Sequence, residues 1–305
     1  MDELPALLAA KRLTEAEQLV EAQAKQDSNR ADVFLAAGRQ ALKAGEPRLA
    51  SEWLRRAAEL LPRDPEPRHE RGLALLELGE VGLAAHAQAE ALAIDPDHIG
   101  ARAQRAAALE ALGDDAGAAR ELSELLARTG PQPALQVRLG GLREAARGAV
   151  HRGLLGSAAA HLEQNPLVQA AFARTAVQPL IAFRAPFADL QIEADGRGLI
   201  RGLTLLFDSM DASLARTDLA YGGTTEDEQG RRVPLDEFTA SATLFLAQAL
   251  GIEPQRARRL LRYLMTPECG LGPLSFAHAQ VGWVVDVSGG NRRYGLFVEA
   301  SGATD

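Results

Sequence analysis

The residues best suited to covalent chemistry in this sequence are one cysteine and one histidine near the C-terminal end. Cys269 lies in a loop predicted over 266–274, and His278 opens the strand predicted after it. A thiolate beside a base is a candidate nucleophile. The group that would orient the base is missing, because Asp286 lies eight residues along the same strand, roughly 26 Å away. A small cysteine packed in the core and a surface histidine form the alternative interpretation, which we favour.

Other catalytic and metal-binding patterns are missing from the sequence. The last lysine is Lys43, so the C-terminal half has none for a Schiff base, a Ser-x-x-Lys nucleophile or a phosphate loop. No Gly-x-Gly-x-x-Gly occurs, and the six histidines form no His-Glu-x-x-His pattern. The single cysteine excludes an internal disulfide and a multi-cysteine metal site. We therefore expect no cofactor and no metal.

The charge of the chain is concentrated in its first part. Residues 1–130 contain 16 Lys and Arg against 23 Asp and Glu, and the remainder contains 17 against 18. An acidic protein repels a phosphate backbone, so nucleic acid is not expected as a partner. No run approaches the ~18 apolar residues that a membrane span needs, and the acidic N-terminus is a poor signal peptide. We expect a cytoplasmic protein that does not enter membranes.

A repeat with a fixed period organises residues 1–130. Each unit is interpreted as a helix, a glycine turn and a second helix, because glycine tolerates the left-handed backbone that ends a helix. Four series agree on a spacing of 34: Gly38, Gly72 and Ala106; Gly45, Gly79 and Gly113; Ala50, Ala84 and Ala118; Pro62 and Pro96, followed by Gly130. The predicted helices cover 2–10, 14–26, 31–44, 48–60, 65–78, 82–94, 99–112 and 116–129.

These residues resemble the tetratricopeptide repeat, whose pattern has small residues at the eighth and twentieth positions and a proline near the thirty-second. The first two full units match this pattern with Gly38, Ala50, Ala57 and Pro62, and with Gly72, Ala84, Ala91 and Pro96. The third unit departs from it at Leu125 and Gly130, and Arg68 and Arg102 replace a first-helix aromatic that Phe34 retains. The resemblance covers about residues 2–130 and implies an α-solenoid of helix-turn-helix repeats.

The resemblance also implies that the first helix of each unit lines a concave groove that binds a segment of another protein. The groove residues that it implies are Asp32, Leu35, Arg39, Leu42, Glu66, His69, Leu73, Leu76, Ala103, Ala107 and Glu110. Family members that grip a C-terminal carboxylate use lysine and asparagine where Leu35 and Arg39 stand, so such a tail is not expected. Two alternatives stay open: the same chain covers the leucines, or a homo-oligomer fills the groove.

The chain after the repeats changes its pattern. We predict a helical cap or linker over 131–185, with helices at 134–147, 154–163 and 167–183, and an α+β domain over 186–305 of no recognised family. Its predicted strands cover 187–194, 199–207, 277–287 and 293–300, and they are joined by antiparallel hairpins. Helices are expected at 209–216, at 237–250 after a cap by Asp236, and at 254–265, with a polar loop over 218–234.

Two charged clusters in the C-terminal half allow a functional and a structural interpretation. The arginines Arg256, Arg258, Arg259 and Arg262 could meet an anion, or they could keep a helix soluble and pair with the acidic repeats. The acidic loop around Glu226 could contact a cation or a basic partner, or could be a solvated loop.

The fold that the sequence predicts is mainly α: a helical solenoid followed by a smaller α+β domain with short antiparallel strands. The function it predicts is an adaptor or scaffold, in which the groove binds a partner protein and the C-terminal domain is a second contact or a regulatory module. The alternative is an enzyme that uses the repeats as a targeting arm, with Cys269 and His278 as its candidate catalytic residues.

Overall fold

The computed structural model describes residues 3–27, 29–156, 173–177, 180–184, 188–207, 224–226, 232–266, 273–275, 278–286 and 293–301. The chain divides into two units. The first comprises Met1–Ala111 and Ala118–Leu139, and the second comprises Leu112–Gly117 and Gly140–Asp305. Each unit is described by itself below.

The first part of the chain consists of helix pairs. The helices are α1 (Leu4–Ala9), α2 (Leu13–Gln26), α3 (Arg30–Lys43), α4 (Pro47–Leu60), α5 (Glu66–Glu77), α6 (Val81–Ile94), α7 (Ile99–Leu112), α8 (Asp115–Thr129) and α9 (Pro133–Arg152). The eight helices predicted over 2–129 are confirmed, with bounds that differ slightly from the predicted ones. The ninth is longer than the predicted 134–147.

A glycine ends the first helix of each full unit, as the sequence predicts. Gly45, Gly79 and Gly113 have φ of +71°, +75° and +93°, a region that other residues enter only at a cost. After α3, the Gly45 N–H donates to the Leu42 carbonyl at 3.0 Å and the Glu46 N–H donates to the Ala41 carbonyl at 2.9 Å. This pair of bonds satisfies carbonyls that the helix end leaves without partners.

Small residues are buried where the two helices of a unit meet. Ala37, Ala50 and Ala57 are fully buried, and they share one core with Trp53, which is 2% exposed. Gly38 lies against the Leu54 side chain with no room for a Cβ. The period of small residues thus follows from close helix approach, which a larger side chain would prevent.

The two arginines that replace a first-helix aromatic make polar bonds. The Arg68 Nη1 atom donates to the carbonyls of Leu61 and Asp64, both at 3.3 Å, at the end of the preceding unit. Arg102 is buried and its Nη1 donates to a Glu121 oxygen at 2.9 Å. The other Glu121 oxygen accepts from Arg105 at 2.6 Å, so the buried carboxylate is paired on both sides.

The second unit contains a seven-stranded antiparallel sheet. Its strands are β1 (Ala173–Val177), β2 (Leu180–Arg184), β3 (Ala188–Ala194), β4 (Ile200–Phe207), β7 (Leu274–Ser275), β8 (Ala279–Asp286) and β9 (Arg293–Ala300). Their order in the sheet is β1-β2-β3-β4-β9-β8-β7, and every neighbouring pair is antiparallel. A separate pair is formed by β5 (Thr224–Glu226) and β6 (Arg232–Pro234).

Two helices share a core with this sheet. They are α10 (Leu235–Leu250) and α11 (Pro254–Leu264), and their leucines Leu246 and Leu260 lie in one buried cluster with Leu203 and Val298 of the sheet. The indole Nε1 of Trp283 donates to the Leu264 carbonyl at 2.8 Å, which ties β8 to the end of α11. The predicted α+β domain with antiparallel strands is therefore confirmed.

Three local predictions for the second unit are wrong. The helix predicted over 167–183 is replaced by β1 and β2, whose register pairs Ala173 with Arg184 and Val177 with Leu180. Pairing between strands outweighs the helix propensity of an alanine-rich segment. Helix α10, predicted to begin at 237, begins at Leu235. The loop predicted over 218–234 contains β5 and β6, and the helix predicted over 209–216 lies outside the described residues.

Candidate functional site

The first helices of successive units lie side by side. Helix α1 contacts α3, and α3 contacts α5. We give the name A-helix face to one surface of these helices. It consists of Asp32, Leu35, Arg39 and Leu42 on α3; Glu66, His69, Leu73 and Leu76 on α5; Gly100, Ala103, Ala107 and Glu110 on α7; and Ala134 and Val137 on α9. All the groove residues predicted from the sequence belong to this face, since Asp32 and Glu66, Leu35 and His69, and their equivalents recur at the period of the repeat.

The leucines of the A-helix face are half-buried. Leu35 and Leu42 pack against the core of α1–α4, and Leu76 packs against the cluster that contains Leu75. Leu73 is half-buried as well, and so are Ala103 and Ala107. Leu35, Leu42 and Leu76 therefore contribute to the core and leave part of each side chain accessible.

His69 is held in one orientation by a buried glutamine. Its Nδ1 lies 2.9 Å from the Gln88 Oε1, and the Gln88 Nε2 donates to the His69 carbonyl at 3.1 Å. Gln88 is fully buried. Because the glutamine nitrogen is used as a donor, its oxygen must accept, and the hydrogen-bond network assigns the proton to His69 Nδ1.

A second histidine, His98, adjoins His69. The ring centroids are 4.7 Å apart. His98 precedes α7, and its Nδ1 accepts the Ala101 N–H at 3.0 Å, so it caps the helix in the manner of an asparagine. Its proton is therefore on Nε2, which lies 3.3 Å from a Glu66 oxygen.

Sequence reasoning missed His98 and Gln88. The signal for Gln88 is its place in the repeat: it occupies the position of Leu54 in the unit before, where it faces a small residue in the same way. The signal for His98 is its place immediately before α7, where a side-chain acceptor is favoured.

The arginines on and beside the A-helix face are already paired. The Arg39 Nε donates to a Glu70 oxygen at 2.7 Å, and the Arg138 Nε donates to a Glu110 oxygen at 2.9 Å. Burial raises the pKa of the Glu70 carboxyl, and the hydrogen bond from Arg39 opposes this shift. Both pairs join successive units, so they fix the spacing of the first helices.

The carboxylates at the second position of two units remain accessible. Asp32 is exposed and accepts a hydrogen bond from the Asn29 side chain at the start of α3. The side chain of Glu66 is 48% exposed, and one of its oxygens lies 3.3 Å from the His98 Nε2. The face therefore presents apolar side chains next to two carboxylates.

The face continues onto the start of α9, which sequence reasoning placed outside the repeats. Val137 occupies the fifth position of its unit, as Ala103 does in the unit before, and it is 78% exposed. An apolar side chain this exposed adds to the accessible apolar surface. The period itself is the signal that would have identified it.

Of the candidate catalytic pair, only His278 lies within the described residues. Cys269 lies outside the described residues. His278 is half-buried, and its Nε2 has no hydrogen-bond partner within the described part of the chain. Among the residues that the structure describes, no group of three metal-ligating side chains could hold an ion.

One arginine of the basic cluster on α11 is committed to an ion pair within the second unit. The Arg256 Nη1 lies 2.9 Å from both oxygens of Asp115, whose side chain is 4% exposed. Arg258, Arg259 and Arg262 are exposed. Arg256 therefore pairs with an acidic residue, which is one of the two interpretations offered above.

The N-terminal part consists of helix pairs that recur at a fixed period. A glycine with a left-handed backbone follows each first helix, and small residues lie where the helices meet. The predicted resemblance to the tetratricopeptide repeat is confirmed. No protein-family model matches the chain, and no curated protein matches it. No helix in the described residues is both long and apolar enough to cross a bilayer.

Several solved structures are similar to part of the chain. The first TPR of Spaghetti (RPAP3) bound to the HSP90 peptide SRMEEVD is 22% identical, with a TM-score of 0.36, over 39% of this chain and 97% of that one. A crystal structure of MamA is 19% identical, with a TM-score of 0.39, over 45% and 82%. The Arabidopsis OM64 TPR domain is 24% identical, with a TM-score of 0.35, over 37% and 94%.

Proposed function

We propose that this protein is an adaptor that binds a segment of a partner protein on the A-helix face. The observation that carries the proposal is that accessible apolar side chains lie on the A-helix face of several first helices. Leu35, Leu73 and Val137 are its main members, and they are half-buried or exposed. Apolar side chains that lie on one face of neighbouring helices suit a continuous segment that lies across several helices.

The polar surroundings of these side chains support the proposal. His69 is fixed by Gln88, and Arg39 is fixed by Glu70. A surface whose side chains are already ordered loses little conformational entropy on binding. The face is therefore suited to recognising a segment without rearrangement.

The second unit takes the role of a further contact or a regulatory module in this proposal. Its sheet has β1 and β7 at its two ends, and the backbone groups along an end strand can pair with an added strand. The paired state of Arg256 argues against this cation as an anion-binding residue.

The test uses the full chain as bait in affinity purification, followed by mass spectrometry. The variant Leu35→Gln with Leu73→Gln removes two apolar contacts and adds no charge. The matched control, Leu60→Gln with Ala93→Gln, changes two exposed residues of second helices. Circular dichroism checks that both variants are folded.

We expect a partner that the wild type and the control retain and that the Leu35 and Leu73 variant loses. Retention of every bound protein by that variant would contradict the proposal.

A further inference from the structure

We propose that the segment bound on the A-helix face is amphipathic and cationic, with lysine or arginine side chains that contact Asp32 and Glu66. The inference rests on the proposed function and adds the chemistry of the partner. It follows from which charges of the face form ion pairs with an arginine of the protein and which do not.

The positive charges on and beside the face are used internally. Arg39 is bonded to Glu70 at 2.7 Å, and Arg138 is bonded to Glu110 at 2.9 Å. Each pair is neutral overall, so these two arginines add no net positive charge that would favour an acidic segment.

His98, which adjoins the face, contributes no charge in its observed bonding. Its Nδ1 accepts the Ala101 N–H. A protonated His98 could not accept that N–H, so the observed cap requires the neutral ring.

Two negative charges remain for a partner. The side chains of Asp32 and Glu66 are accessible and stand at the same position of successive units. A carboxylate has about four acceptor positions, so the bond from Asn29 to Asp32 and the contact of His98 with Glu66 leave room for an ammonium or guanidinium group. Residues 1–130 carry 23 acidic against 16 basic side chains, which adds long-range attraction for a cation.

The spacing of the two carboxylates matches a regular segment. Helices α3 and α5 are in contact, so equivalent residues are about one interhelical distance, ~10 Å, apart. Two cations separated by seven residues of a helix are ~10.5 Å apart along its axis. Leucine-like side chains between them would face Leu35 and Leu73.

The test measures binding of two labelled synthetic peptides to the full chain by fluorescence anisotropy. Each peptide has about 15 residues and the same leucine face of an amphipathic helix; the polar face is lysine in one and glutamate in the other. The charge variant is Asp32→Asn with Glu66→Gln. Its control, Glu17→Gln with Glu59→Gln, changes net charge equally on second helices.

We expect the lysine peptide to bind at least ~10-fold more tightly than the glutamate peptide. The charge variant should weaken this binding by about fivefold, and its control by less than twofold. Equal binding of both peptides, preference for the glutamate peptide, no binding of either, or equal loss in the variant and its control would overturn the inference.

The apolar variant distinguishes this inference from the function on which it rests. If Leu35→Gln with Leu73→Gln weakens peptide binding but the charge variant does not, the face binds segments regardless of their charge. The inference then fails and the proposed function stands. If neither variant changes binding, the peptide binds elsewhere, and both the inference and the proposed function fail.

Discussion

The substitution Gly72→Ala tests the support of His69 most sharply. A Cβ at position 72 would lie 2.8 Å from the Gln88 Cδ, well inside contact distance, so the Gln88 amide would have to move. Gln88 is fully buried, so water cannot replace its bonds to the His69 carbonyl and ring. We therefore expect loss of both bonds and displacement of His69 from the A-helix face.

The size of the effect follows from these two bonds. A buried polar group left without a partner costs about 1–3 kcal/mol, which gives roughly 2–6 kcal/mol for the two bonds. Alanine in place of glycine inside a helix regains about 1 kcal/mol. The net expectation is a loss of roughly 1–5 kcal/mol in the local unfolding free energy of α5 and α6.

The assay is native-state amide hydrogen exchange read by mass spectrometry, because it reports each helix separately in a chain of two units. The control is Gly140→Ala, another helical glycine, with no atom within 4 Å of the added Cβ. It should stabilise α9 by up to about 1 kcal/mol. In a Gln88→Ala background, Gly72→Ala should cost much less. An unchanged cost there, or a stability change of Gly72→Ala no more unfavourable than that of Gly140→Ala, would refute the reasoning.

Three further predictions concern charged groups. Arg102→Met should lower the stability of α7 and α8 by about 2 kcal/mol, since Glu121 would be buried with one partner fewer; hydrogen exchange measures this. Burial raises the pKa of the Glu70 carboxyl from its usual 4.5. The folded protein should therefore lose stability as pH rises from 4.5 through the raised pKa. Glu70→Gln should remove that loss, which denaturation curves at pH 4 and pH 7 would measure. Hydrogen bonds from the Leu199 and Arg197 N–H groups lower the pKa of the Asp195 carboxyl below 3.8. The wild type should therefore lose this contribution to the stability of β3 and β4 only as pH falls through the lowered pKa. Asp195→Ala should remove the contribution at neutral pH, and hydrogen exchange of the two strands against pH checks it.

The repeat could be predicted from the sequence because its signals are local. Gly45 and Gly79 end helices through their own backbone, and Ala50 and Ala84 are small because each meets the other helix of its unit closely. A fixed period repeats each signal several times. The bounds of the helices follow from these positions with only small errors.

The errors come from contacts between residues far apart in the pattern. Residues 173–177 and 180–184 include alanines and other apolar side chains, and only the pairing of Ala173 with Arg184 and its neighbours makes them strands. His98 and Gln88 take part in the site because of their contacts with His69, which no spacing rule contains. Arg39 looks like a free cation in the sequence, and its partner Glu70 is visible only in the fold.

The most direct measurement of the central claim is site-specific photo-crosslinking of the full chain. A photo-reactive amino acid replaces Leu73 on the A-helix face, and in a separate protein it replaces Leu60, which is 47% exposed on α4. We predict that position 73 crosslinks to one continuous segment of another protein, that Leu35→Gln reduces the yield, and that position 60 gives none. Equal yields from both positions, or crosslinks from position 73 to this same chain alone, would contradict the account.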